Sequence, residues 1–147
     1  MRSMKLICAF LAAYSASTLA VSSDLIVLGE RALREECSAF SQAGMRNCLA
    51  KKADGSQKAL RQAEEKVASI LSKWDEDNKY VNQAKVKFVS SNKNFAKYRD
   101  AHCAFASSLG GGAIGTALDM RRFACVTELN NRRAEQLRDA VSDLPSK

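Results

Sequence analysis

Asn92-Lys93-Asn94-Phe95-Ala96-Lys97-Tyr98-Arg99-Asp100-Ala101-His102-Cys103 puts an aromatic stripe, an Arg-Asp pair, the only histidine and a cysteine on one expected helix. The stripe extends in both directions. Val81, Ala84, Phe88, Ser91, Phe95, Tyr98, His102 and Phe105 follow one another at alternating steps of three and four. Such spacing lines one face of an α-helix. Gly110-Gly111-Gly112 stops this helix soon after Ser107. The glycine run lacks a following Lys-Ser or Lys-Thr and a preceding strand pattern, so it does not read as a phosphate loop.

Upstream, Leu49, Ala53, Ser56, Leu60, Ala63, Val67, Ile70 and Trp74 advance by fours and threes without a slip. They predict a long helix from Ser41, its expected N-cap, to Trp74. Gly55 lies inside it and costs about 1 kcal/mol relative to alanine, too little to divide the helix. The polar turn Asp75 to Asn78 separates it from the aromatic helix. A further helix is expected from about Thr116 to Val141, with Leu118, Cys125, Leu129, Leu137 and Ala140 facing inward. β-strand alternation is absent from the sequence, and the only proline is Pro145. The expected fold is all-α: a three-helix antiparallel bundle joined by short loops.

The N-terminal end has a different character. Arg2 and Lys5 precede an apolar run from Leu6 to Tyr14, and small residues Ser15 to Ala20 follow. This order reads as a cleaved signal peptide over residues 1–22 and implies an exported, periplasmic or secreted protein. The apolar run is short of the roughly 20 residues of a transmembrane helix, and no later stretch is apolar enough to span a membrane. Residues 23–40 are expected to form a segment tied to the first long helix, and residues 41–144 the helical domain. Cleavage would lower the net charge from +7 to +5, since Arg2 and Lys5 leave with the signal.

Cleavage would also remove Cys8 and leave Cys37, Cys48, Cys103 and Cys125. An even cysteine number in a small exported domain reads as a disulfide framework. Four cysteines allow three pairings. The up-down arrangement is compatible with Cys103 meeting Cys125, and with Cys37 and Cys48 folding the N-terminal segment back on the first long helix.

Catalytic signals are sparse. His102 has no second ligand or nucleophile in a recognisable spacing. No serine sits in a nucleophile elbow, and the cysteines lack the close paired spacing of a zinc site. Asp75-Glu76-Asp77 reads as a solvated capping turn rather than an acid-base pair. No cofactor is implied. The basic charge comes without a recognisable nucleic-acid module, so no nucleic-acid partner is expected.

Three stretches resemble the LprI-like lysozyme-inhibitor family of small exported bacterial proteins. Cys37-Ser38-Ala39-Phe40-Ser41-Gln42-Ala43-Gly44-Met45-Arg46-Asn47-Cys48 is similar to the family's opening of Cys, then Thr-Gln-x-x-Met-x-x-Cys. Asn92, Phe95, Tyr98-Arg99-Asp100 and Cys103 stand where the family has Gln, Trp, aromatic-Arg-Asp and Cys. Cys125, Leu129, Arg133 and Leu137 resemble its closing Cys, Leu-Thr, Arg and Leu pattern. The likeness runs roughly from Cys37 to Leu137. This chain departs from the pattern at Asn92, Phe95 and Asn130, where Gln, Trp and Thr are usual. The family's Asp-x-x-Leu-Asn-x-x-Tyr on the first long helix survives only as Leu60, with Gln57, Arg61 and Glu64 at the other positions.

The resemblance implies Cys37–Cys48 and Cys103–Cys125 pairs and structural roles for Phe95, Tyr98, Arg99, Asp100, Leu129, Arg133 and Leu137. With Cys103–Cys125 setting the register, Arg99 is expected to pair with Glu128 and Arg133 to stack on Phe95, within reach of Glu64 or Glu65. The resemblance also implies a non-catalytic exported binding protein, lysozyme-inhibitor-like, whose partner is a lysozyme or another envelope protein. The alternative is a structural or envelope-interaction protein that binds anionic cell-envelope polymers through its basic faces. Many lysozymes are strongly basic, so a basic inhibitor needs a local acidic patch such as Asp75-Glu76-Asp77.

Overall fold

A computed structural model describes residues 27–147. The expected signal segment, 1–22, lies outside that range. The described chain folds as α1 (Glu30–Glu36), α2 (Gln42–Lys73), α3 (Asn78–Ser108) and α4 (Gly115–Asp139). The all-α expectation holds, but the helices among the described residues number four, not three. The three expected helices are α2, α3 and α4. The addition, α1, spans 7 residues, about two turns, too short for a periodic apolar signal. Its good helix formers bury Leu33, and Arg34 reaches back to Glu30 at 3.2 Å.

Ser41 caps α2, its hydroxyl accepting from the Gly44 N–H at 3.3 Å. The expected stripe is buried from Leu49 through Val67, after which Leu71 takes the inner position in place of Ile70. Alternating steps of three and four average 3.5 residues, whereas a straight helix turns every 3.6. The face therefore drifts by roughly 20° per heptad, and the strict stripe from Leu49 slides off the core by Ile70, three heptads on.

The same drift corrects the aromatic face of α3. The Asp77 carboxylate caps this helix, accepting from the Lys79 N–H at 2.7 Å. Val81 and Cys103 are its buried residues, while Tyr98 and Phe105 are 55% and 60% exposed. Phe88, Asn92, Phe95 and Arg99, all half-buried, lie between Val81 and Cys103 on the inward side. In α4 the buried set is Met120, Ala124, Cys125, Thr127, Asn130, Ala134 and Leu137. Leu118 and Leu129 are only half-buried, Ala140 is exposed, and Val141 takes the inner place expected of Ala140.

Helix α4 is central. It packs most extensively on α2, then on α3 and α1, whereas α2 and α3 touch sparingly. One core cluster joins Leu60, Ala63, Val67 and Leu71 to Ala134, Leu137 and Val141. A second joins Leu33, Cys37 and Leu49 to Met120 and Ala124. Each buried leucine contributes roughly 1.5–3 kcal/mol. At the α3–α4 turn Gly111 adopts φ +58°, a left-handed conformation that favours glycine. At the opposite corner the C-terminal tail holds the α2–α3 turn. Asp75 N–H donates to Pro145 O at 3.0 Å, and Lys147 N–H donates to Lys73 O at 2.9 Å.

Candidate functional site

Between α2, α3 and α4 lies a polar layer set into an otherwise apolar interface. Asn130, on α4, is 0% exposed. Its side-chain amide donates to Ser56 Oγ at 3.2 Å and to Gln57 Oε1 at 3.3 Å, both on α2. Its carbonyl oxygen accepts from Arg99 Nη1, on α3, at 3.1 Å. The same Arg99 nitrogen donates to Gln57 Oε1 at 3.1 Å. Arg99 also gives Nε and Nη2 to Asp100 Oδ1, at 3.0 and 2.9 Å. One guanidinium thus ties the three long helices together, satisfying groups that would be costly to bury alone.

The expected Arg99–Glu128 pair does not form. Asn130, not Leu129, faces Arg99, because α4 turns its Asn130 side toward α2 and α3. Glu128 points instead toward α1, where it accepts from Arg132 Nε at 2.8 Å and from the Glu30 N–H at 2.7 Å. Gly29, the N-cap of α1, has no side chain to cap with. The Glu128 carboxylate fills that role from another helix, where the positive end of the helix favours it.

Arg133 lies one turn further along α4. Its Cζ sits 5.6 Å from the centre of the Phe95 ring. Its Nη2 donates to Ser91 Oγ at 2.7 Å and Asn92 Oδ1 at 3.1 Å. Its Nε is buried without a hydrogen-bond partner. Glu64, on α2, is the nearby carboxylate. Desolvation raises its pKa above the usual carboxylate range, against the opposing pull of Arg133 and Arg99. Desolvation likewise lowers the Arg133 pKa, with Glu64 opposing.

Cys37 is joined to Cys48 and Cys103 to Cys125. Leu137 is a core residue. Tyr98 lies outside the polar layer and stacks on His102, with centroids 5.4 Å apart and planes at 27°. Glu30, His102 and Cys125 bring possible ligand atoms within 4.8 Å of one another. The Cys125 sulfur is already bonded to Cys103, so it is not a thiolate and the cluster reduces to two groups. Spacing does not mark Gln57, Ser56 and Asn130 as site residues. Ser56 interrupts an apolar stripe, and Gln57 and Asn130 depart from the family pattern. Those are the available signals.

The layer brings together hydrogen-bonding and charged groups suited to holding helices or gripping a partner. Among the described residues it contains no nucleophile–base pair. No helix in that range is long and apolar enough to cross a membrane. Comparison with curated proteins finds no match, and comparison with solved structures finds none. A family model described as lysozyme inhibitor LprI matches residues 35–137, which take in both disulfides, the Arg99 network and Arg133. The chain belongs to the LprI lysozyme-inhibitor family.

Proposed function

We propose that the protein is an exported, non-catalytic binding protein that inhibits a lysozyme. The observation that carries this reading is the family match over residues 35–137, which spans the joined helices from the end of α1 to Leu137. The disulfide-linked frame suits export. The polar layer at Arg99, Asn130 and Arg133 holds that frame and is not the recognition surface, since Arg99 is already committed to Gln57 on α2 and Asn130 on α4, and Arg133 to Ser91 on α3.

Recognition falls to the α2–α3 corner. Asp75, Glu76 and Asp77 are all exposed there, on a turn held by the C-terminal tail. A fixed acidic corner offsets the basic balance of the chain and complements a basic enzyme cleft. The test is titration of purified protein into a lysozyme cell-wall lysis assay. Inhibition at micromolar or lower concentration is expected. Full lysozyme activity at micromolar excess of the protein would sink the proposal.

A further inference from the structure

Helix α3 carries a charge pattern that neither the polar layer nor the acidic corner uses. From Asn78 to Arg99 it has five lysines, one arginine and no carboxylate. The lysines are Lys79, Lys85, Lys87, Lys93 and Lys97. All but Lys85 are exposed, and none of the five forms an ion pair among the described residues. Helix α4, by contrast, intersperses its five arginines with four carboxylates. The carboxylates that flank the stretch in sequence are engaged at its two ends. Asp77 caps the helix and Asp100 is held by Arg99.

The lysines share their face with apolar groups. Lys79, Val86, Lys93 and Lys97 follow at seven, seven and four residues, so they lie along one side of the helix. Val86 is 70% exposed and Val89, beside it, 67%. Valine is a middling helix former, and these two bury little within the bundle. Lys79, Lys93 and Lys97, with Val86 and Val89, make a basic and apolar face along a 31-residue helix that also packs on α4, and Lys87 flanks that face about 100° round the helix from Val86.

We propose that this face of α3 lies against an anionic lipid bilayer surface. Lysine stems reach the headgroups while the short apolar side chains meet the interface. Each lysine near an anionic surface strengthens binding by roughly fivefold at low salt, so the face gains by acting as a unit. A soluble polyanion would use the lysines but leave Val86 and Val89 without a role. That asymmetry favours the bilayer.

The experiment is co-sedimentation of the full chain with vesicles of equal phosphatidylglycerol and phosphatidylcholine, against pure phosphatidylcholine. Binding to the anionic vesicles alone is expected, with loss in high salt. The variant K87E/K93E/K97E should lose at least about a hundredfold in partitioning. A matched variant on exposed α2 positions, K58E/R61E/K66E, changes the net charge equally and should retain most binding. V86S/V89S should weaken binding with every charge in place. Circular dichroism checks that each variant keeps its helix content. Equal loss in both triple variants would reduce the effect to net charge and overturn the proposal. So would binding to polyphosphate without binding to vesicles, or V86S/V89S binding like the parent. None of these results bears on lysozyme inhibition, so the two proposals stand or fall separately.

Discussion

Arg99 gives its guanidinium to acceptors on α2, α4 and its own helix, and Asn130 holds two of the three long helices in register with it. Removing either end of this network strands buried polar groups. Arg99→Ala is expected to cost about 2–3 kcal/mol, because Asn130 and Gln57 lose a donor, and Asn130→Ala a similar amount, because Ser56, Gln57 and Arg99 lose a partner in a largely buried interface. Arg132→Ala, at an exposed i,i+4 pair with Glu128, should cost under about 0.5 kcal/mol. Urea denaturation of the three variants checks the order. Equal costs would mean that the Arg99 network is no better than a surface ion pair. Glu64 makes the opposite kind of contribution. Its raised pKa means that the folded state holds the protonated form better than the unfolded chain does, so its contribution is present below the ordinary value of 4.5 and lost as pH rises through the folded pKa. Glu64→Gln should therefore raise the melting temperature at neutral pH, and the gain should shrink at pH 4. A destabilised variant at neutral pH would show that attraction to Arg133 outweighs desolvation.

The helices divide between what repetition in the sequence reveals and what it does not. Ser41, the fours and threes from Leu49 to Val67, the polar turn before Asn78 and the glycine run fix α2, α3 and α4 within a residue or two. Three features escape it. Helix α1 is too short to repeat, and one buried residue, Leu33, leaves no period. The outer ends of the stripes drift, so Leu71 replaces Ile70 and Tyr98 turns outward. The partner of Arg99 depends on the rotation of α4 about its axis. A shift of one residue, from Leu129 to Asn130, turns a helix by about 100° and exchanges an ion pair for an amide network. The disulfides join elements that pack modestly, α1 to α2 and α3 to α4. With sequence separations of 11 and 22, each contributes about 3 kcal/mol through the unfolded state. Reduction and alkylation should lower the melting temperature sharply, as read by the loss of helical circular dichroism on heating. An unchanged melting curve would deny the disulfides a stabilising role.

At the scale of the whole molecule, charge is sorted rather than spread. The acidic triplet occupies the α2–α3 corner, and the six cations without a carboxylate follow immediately along α3. On the proposed assignment, that sorting lets a basic protein meet a basic enzyme through its acidic corner while the α3 face is turned to a different partner. Composition alone supplies only the sum, +7, which hides both. If the corner inhibits a lysozyme and the α3 face takes no part, one lysis assay separates them. It compares lysozyme inhibition by the parent, by D75N/E76Q/D77N and by K87E/K93E/K97E. The first variant keeps a good helix cap, since asparagine caps as well as aspartate. Micromolar or tighter inhibition is expected from the parent, at least tenfold weaker inhibition from the corner variant, and inhibition equal to or tighter than the parent's from the α3 variant. A corner variant as potent as the parent, or a parent that leaves lysozyme fully active, would overturn this assignment of the two surfaces.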